Sequence, residues 1–312
     1  MISLDLIIPT YKSAQSIGLL VQKLNQFNAN GTFKLHVVFV NDASPDNTQT
    51  VLDENLKQAQ FSYKTIRLAQ NYGQHTATAI GLYYTESELV ATIDDDLQHQ
   101  PEDFLALYQH MLNTQCDLVY GAFEEKKHHV FRNLGTHILQ KILKLDGRDY
   151  SMVTSYRLMK SSVITVFKKR QIKTHFIDDY FLLASSKTSS YQVNHQKRAF
   201  GNSGYSYGAL LKMAIKILFL HSSLPLKLIS RMGLLLSLVF FVLGCFYIYQ
   251  KLVYDVSIGF TSLIVAIFFS TGLILFSLGI IGEYIRRIWI SKQDLDMVVV
   301  SKITISKKVQ DK

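Results

Sequence analysis

The chain has 312 residues, 48% of them hydrophobic, and a formal net charge of +9 at pH 7. That length holds one large or two ordinary domains, and the hydrophobic share with a positive mean hydropathy is high for a wholly soluble protein, so a membrane part is expected. The basic balance fits nucleic acid or an anionic membrane equally, while two cysteines, Cys116 and Cys245, supply neither a disulfide framework nor metal-ligand spacing.

The two cysteines favour a reducing, cytoplasm-facing body, and the N-terminus enters strand pattern at once, without a basic n-region or cleavage signal, so nothing points to secretion of the first half. Residues 4–8 read as a buried strand ending at Pro9-Thr10-Tyr11, and Ile17, Leu20, Val21, Leu24 and Phe27 follow at helical spacing. The unit repeats: residues 35–40 as strand, a loop from Asn41-Asp42 to Thr48, then a helix with Val51, Leu52 and Leu56. A third strand at 63–68 leads through Asn71-Tyr72-Gly73-Gln74 into a helix near 77–84. Alternating strand and helix predicts a parallel sheet with helices on both faces.

The fourth strand, 89–93, breaks into Asp94-Asp95-Asp96-Leu97-Gln98-His99. Acids beyond the carboxyl end of a buried strand sit where ligands bind in open sheets, and they can hold a hard cation that in turn holds a phosphate. Continued as extended chain, Asp94 and Asp96 point one way and Asp95 the other, so the first two form the expected clamp and Asp95 is expected to tolerate change best. The triplet also reads as a solvated turn before a helix, with Pro101 at its first position and Glu102 and Asp103 at its positive end. Neither a GxGxxG nor a GxxxxGK[ST] fingerprint occurs, so a nucleotide is held in another way.

Four stretches, Ile8-Pro9-Thr10-Tyr11-Lys12, Val40-Asn41-Asp42-Ala43-Ser44-Pro45-Asp46-Asn47-Thr48, Asn71-Tyr72-Gly73-Gln74 and Ile93-Asp94-Asp95-Asp96-Leu97-Gln98-His99, resemble the ordered motifs of family 2 glycosyltransferases with the GT-A fold. Within that family the Asp-x-Asp-Leu-Gln-His form is similar to the polyprenyl-phosphate glycosyltransferases. The resemblance implies that Asp94, Asp96 and Gln98 coordinate Mg²⁺ or Mn²⁺. It also implies that Pro9, Thr10, Tyr11, Asp42, Asn71 and Asp95 hold the nucleotide.

Further along, 104–112 carry an apolar helical stripe and 117–121 a fifth strand, both read as core, and a helix is expected near 133–145. His128 and His129 lie in a charged loop without partners at zinc-ligand spacing. Val153-Thr154-Ser155-Tyr156-Arg157-Leu158-Met159 resembles the family's strand near the acceptor, with Arg157 as the matching arginine; many relatives have Asp where this chain has Ser155. Asp178 and Asp179 read as a helix start or, for Asp179, as a base, although a phosphate acceptor with a second pKa of about 6 needs little base help. The stretch from Lys197-Arg198 through Gly201, Ser203 and Tyr205 is similar to the family's Arg-x-x-Gly-x-Ser-x-Tyr element. Through Arg157, Lys197, Arg198 and Ser203 it implies an acceptor-phosphate site, because charge-assisted bonds are the strong kind. A basic loop on a membrane surface is the plainer alternative.

Residues 205–231 mix apolar and basic side chains as an interfacial segment does. Residues 232–249 and 258–282 are charge-free apolar runs of about 18 and about 25 residues, each long enough to cross a bilayer core. Lys227 and Arg231 before the first run, with Arg286, Arg287 and Lys292 after the second, put both flanks on the cytoplasmic side. Alternation at 296–306 predicts a short strand to pair with a sheet edge of this chain or of a neighbouring one.

The expected organisation is therefore α/β: a GT-A (Rossmann-like) domain at 1–204, an amphipathic juxtamembrane segment at 205–231, two transmembrane helices within 232–285 and a basic cytoplasmic tail at 286–312. The expected partners are a nucleotide sugar, a polyprenyl phosphate and the plasma-membrane bilayer. Similar proteins form homo-oligomers, and nothing in the sequence sets a number. Nucleic acid is disfavoured because Lys and Arg flank the apolar runs. The alternative of another class is a non-catalytic membrane scaffold or lipid-binding protein on the same fold. A processive polysaccharide synthase is disfavoured because Gln-x-x-Arg-Trp is absent and the single Trp, Trp289, follows the second run.

Overall fold

A computed structural model describes residues 1–123, 152–170, 177–185, 187–193, 259–293 and 298–306, with scattered positions between 231 and 254. Two compact units divide the chain: Met1–His128, Ser151–Ser203 and Ser291–Lys312 make the first, and His129–Tyr150 with Gly204–Ile290 the second.

The first unit alternates strand and helix as β1 (Ile2–Thr10), α1 (Ile17–Ala29), β2 (Phe33–Asn41), α2 (Thr48–Asn55), β3 (Ser62–Leu68), α3 (Gln74–Tyr83), β4 (Leu89–Thr92), α4 (Asp103–Thr114) and β5 (Leu118–Phe123). It continues with β6 (Arg157–Lys160), α5 (Ser161–Arg170), α6 (Ile177–Ala184), β7 (Thr188–Val193) and β8 (Val300–Ile305). The strands form one sheet in the order β7-β5-β6-β4-β1-β2-β3-β8. β1 pairs in parallel with β2 and β4, and β2 with β3, as the alternation predicts. The sheet is mixed rather than wholly parallel: β6 runs antiparallel between β4 and β5, and β8 antiparallel to β3. Periodicity carries no strand direction, so this difference was beyond the sequence pattern.

Central β1 is buried on both faces, which is why it reads as a continuous apolar run. Leu4, Leu6 and Ile8 enter the core under α1, α2 and α4, with Leu20, Leu24, Leu52 and Phe104. Ile7 enters the opposite core under α3, α5 and α6, with Leu82, Phe167 and Phe181. Each such side chain stabilises the fold by about 1.5–3 kcal/mol. Gly81 lets α3 lie close against β1, since a Cβ there would stand 2.5 Å from Ile7 Cγ2.

The strand expected near the C-terminus forms on the chain's own sheet edge, with Ile66 opposite Ile303 and Thr65 opposite Thr304. Ala69 N donates to Val299 O and Ser306 N to Tyr63 O, closing both ends of the pairing. Residues 300–305 of the expected tail are thus part of the first unit's sheet.

The second unit holds most of α7 (Phe260–Gln293), 34 residues long. Among the described residues no helix is long and apolar enough to cross a membrane. The runs expected to span, 232–249 and 258–282, are described only in part. The helix expected at 133–145, His128 and His129, and the stretch with Lys197, Arg198 and Ser203 lie outside the described residues.

Candidate active site

Strand order reverses at β1: β2 and β3 extend to one side, β4 to the other. Loops at the carboxyl ends of these strands must diverge there, and the gap between them is where open α/β sheets bind ligands. A crevice of about 370 Å³ opens at this point, lined by Pro9, Thr10, Tyr11, Asp42, Asn71, Gly73, Gln74, Asp94, Asp95 and Asp96. All six residues expected to hold a nucleotide line it, together with both expected clamp aspartates.

The lining loops are tightly turned. Lys12, Ala43 and Leu97 adopt φ of 57°, 51° and 64°, one after each of β1, β2 and β4, and Gly73 adopts 91° after β3. Left-handed backbone is unfavourable for residues with a Cβ and persists only where surroundings over-determine it. Here the loops tie one another down. Lys12 N donates to Ser44 Oγ at 3.2 Å, Ser44 N to Asn41 Oδ1 at 2.9 Å, and Ser13 N to Thr48 Oγ1 at 2.9 Å.

Asp42, at the end of β2, accepts the backbone N–H groups of Tyr72 and Gly73, each at 2.7 Å. Asn71 Nδ2 reaches Asp42 O at 3.4 Å. The β2 and β3 loops are thereby fastened together. Burial raises the Asp42 pKa, and the two N–H donors offset this only in part.

The acidic triplet is not extended chain. β4 ends at Thr92, residues 95 and 96 are in a turn, and Leu97 is left-handed. The expected alternation of side chains therefore does not apply, and all three carboxylates line the crevice. Asp94 accepts Gln74 Nε2 on one oxygen and Ser155 Oγ on the other, both at 2.6 Å. Asp95 accepts Ser13 Oγ and, at 3.2 Å, Tyr11 N. Asp96 Oδ1 accepts Gln98 N at 3.1 Å, a local turn bond. Asp95 is thus the bolt between the β1 and β4 loops, which corrects the expectation that it tolerates change best. Burial pushes its pKa up to about 6, the neighbouring charges of Asp94 and Asp96 add to this, and the bonds from Ser13 and Tyr11 oppose it.

Arg157 is also placed differently from the expectation. Its side chain is almost wholly buried, with Nε and Nη2 donating to the two oxygens of Asp178 at 2.8 and 2.7 Å and Nη1 to Thr92 Oγ1 at 3.2 Å. A guanidinium committed in this way, with Phe181 beneath it at 5.6 Å, supports the strand ends rather than meeting a ligand in the crevice. The pair was illegible in the sequence because nothing local links positions 157 and 178. Asp178 and Asp179 do occupy the first turn of α6.

The donor set can be tested against a cation. Asp94 and Asp96, which line the crevice, offer only oxygen to a metal, which suits Mg²⁺ or Mn²⁺ rather than a soft metal; Gln98, the third expected ligand, is not among the lining residues. Among the described residues no three His, Cys, Asp or Glu side chains form a metal cage. Mg²⁺ usually takes one or two carboxylates and completes its shell with substrate phosphates and water.

Three residues of the site, Ser13, Gln74 and Tyr156, carry no role in the sequence reading, and Ser155 figures there only as a departure from the family pattern. Ser13 and Gln74 stand within or beside quoted motifs without a role. Buried Tyr156 stacks on His99 with ring centroids 4.7 Å apart and donates to Gln100 O at 2.8 Å, bracing the turn from below.

Comparison with known proteins agrees with this geometry. The family model described as glycosyl transferase family 2 matches residues 5–186, and one described as the GtrB C-terminal hairpin matches 225–288. The undecaprenyl-phosphate 4-deoxy-4-formamido-L-arabinose transferase of Photorhabdus laumondii is 25% identical over 98% of this chain and 96% of its own length. The uncharacterized glycosyltransferase YkcC of Bacillus subtilis is 27% identical over 96% of this chain and 94% of its own. Among solved structures, mannosyl-3-phosphoglycerate synthase from Rubrobacter xylanophilus has a TM-score of 0.50 at 14% identity, covering 74% of this chain and 75% of its own, a likeness of fold.

Proposed function

Because the chain belongs to glycosyl transferase family 2, we propose that it transfers one sugar from a nucleoside diphosphate sugar to a polyprenyl phosphate, with undecaprenyl phosphate the favoured carrier. The observation that carries this reading is the crevice at the strand-order reversal. There the paired-loop carboxylate Asp42 and the three aspartates after β4 face one volume. The carrier follows from the transferase of Photorhabdus laumondii, whose name specifies undecaprenyl phosphate and which aligns nearly end to end with this chain.

In this reading the Pro9–Tyr11 loop, Asp42 and Asn71 hold base and ribose, and Asp94 and Asp96, with Gln98, hold Mg²⁺ or Mn²⁺. A bound divalent cation neutralises charge that builds on the leaving diphosphate. Asp95 holds the β1 loop against the acidic turn and so keeps nucleotide and diphosphate sites in register. Lys197, Arg198 and Ser203 steer the lipid phosphate, which is largely ionised at neutral pH and attacks the anomeric carbon without a strong base. Inversion at that carbon follows from the family analogy.

The hairpin match at 225–288 supports membrane association, and the basic flanks support a cytoplasmic catalytic domain in the plasma membrane. Tethering beside a bilayer-confined acceptor raises the effective concentration of the two reactants.

The test is transfer of radiolabelled sugar, from a panel of nucleotide sugars, into an organic-extractable, mild-acid-labile product by membranes containing the protein. Incorporation is expected only with divalent metal, and Asp96→Ala is expected to lower it by about 10²–10³-fold. Undiminished transfer by Asp96→Ala would remove the metal role from the triplet. A thermal-shift panel with Mn²⁺ identifies the donor, since a ligand bound only by the folded state must stabilise it.

A further inference from the structure

The hydroxyl of Ser155 is committed to the acidic turn. Ser155 Oγ donates to Asp94 Oδ2 at 2.6 Å. Its own carbonyl accepts Thr92 Oγ1 at 2.6 Å, and Thr92 Oγ1 in turn accepts Arg157 Nη1 at 3.2 Å. Arg157 is clamped by both oxygens of Asp178, which is 1% exposed. An unbroken series of hydrogen bonds therefore runs from α6, through the buried ion pair, to one oxygen of Asp94.

We propose that Ser155 is a positioning residue: it fixes the Asp94 carboxylate for a divalent cation, and the Asp178–Arg157 pair holds Ser155 in place through Thr92. The inference rests on the metal reading given above. A carboxylate on a turn can rotate about two side-chain torsions, and a cation binds well only if its ligand is already oriented. A hydroxyl suits this task because it donates to one oxygen of Asp94 without adding a charge. A carboxylate in the same place would set a second negative charge against Asp94 and offer it no donor. Ser155 thus belongs to cation retention rather than proton transfer.

The experiment uses the full-length protein in detergent and Mn²⁺ with inorganic pyrophosphate, a probe that needs no knowledge of the nucleotide base. Free Mn²⁺ is followed by electron paramagnetic resonance. Ser155→Ala is expected to weaken Mn²⁺ binding by about 10–100-fold, the usual effect of losing a partner that orients a metal ligand. It should likewise raise the metal concentration needed for half-maximal transfer, while kcat at saturating metal changes little. Ser155→Thr, which keeps the hydroxyl, is expected to restore binding. Should Ser155→Ala not fold, Ser155→Cys keeps the volume with a much weaker donor and should show the same loss. Binding by Ser155→Ala or Ser155→Cys equal to that of the wild type overturns the positioning role alone. Failure of the wild type to retain Mn²⁺ with pyrophosphate overturns the metal reading, and the positioning role with it.

Discussion

Arg157 and Asp178 form a bidentate ion pair, 2.8 and 2.7 Å long, at 3% and 1% exposure beneath the strand ends that carry the acidic turn. Burying both charges has a desolvation cost that the pairing offsets, so removal of one partner is far more damaging than removal of both. Asp178→Ala is expected to destabilise the first unit by about 3–5 kcal/mol, and the double change Arg157→Met with Asp178→Leu by clearly less. Thermal unfolding of the three proteins checks the order; equal midpoints for the single and double variants would contradict it.

Asp95 ties Tyr11 N and Ser13 Oγ to the β4 loop. Asp95→Ala is expected to raise the KM for the nucleotide sugar by about tenfold, equivalent to about 1.4 kcal/mol, because the β1 loop loses its anchor. Asp95→Asn retains an acceptor oxygen and should be milder. Steady-state kinetics with varied donor separates the two.

Two aspartates give opposite pH dependences. For Asp5, burial pushes the pKa upward, but bonds from His36, from Ser87 N and Oγ and from Glu86 N outweigh it, leaving the group below 3.8. Its contribution to stability is complete above pH 3.8 and is lost as pH falls through the lower folded value. For Asp95 the folded value is about 6 against 3.8, so its contribution is complete below pH 3.8 and is lost as pH rises through about 6. Metal-free melting curves should therefore show the midpoint dropping at the acid end in wild type. Asp5→Asn should flatten that limb, and Asp95→Asn should flatten the decline between pH 3.8 and about 6.

Gly121 in β5 lies against the ring that braces the acidic turn, and a Cβ there would stand 2.3 Å from Tyr156 Cδ1. Tyr156 is fully buried and has no room to retreat. Gly121→Ala is expected to cost about 1–3 kcal/mol of overpacking. It should also weaken Mn²⁺ retention, since displacing Tyr156 disturbs His99 and Gln100. Thermal unfolding and metal binding measured on the same variant check both.

Much of the site was legible because its carriers are local. A buried strand announces itself as an apolar run, its end as the first polar residues, and a helix after it by 3.6-residue spacing. Thr10, Asp42, Asn71 and Asp94 are legible in this way as polar residues at the ends of four successive strands. The alternation argument failed at Asp95 because it assumed that β4 continues past Thr92, and backbone turning at Leu97 leaves no period to detect. Asp5 is hidden inside its apolar run because its partners, His36, Glu86 and Ser87, lie 31 to 82 positions away.

By itself the sequence determined the strand–loop–helix order, the acids at the strand ends and the presence of a short strand near the C-terminus, all of which depend on composition over a few consecutive residues. Tertiary structure alone decided the antiparallel direction of β6, the pairing of Arg157 with Asp178, the latch from Asp95 to the β1 loop and the bond from Ser155 to Asp94. Those contacts join positions 21 to 84 apart, and they form only because packing of the two cores brings the strand ends to one place.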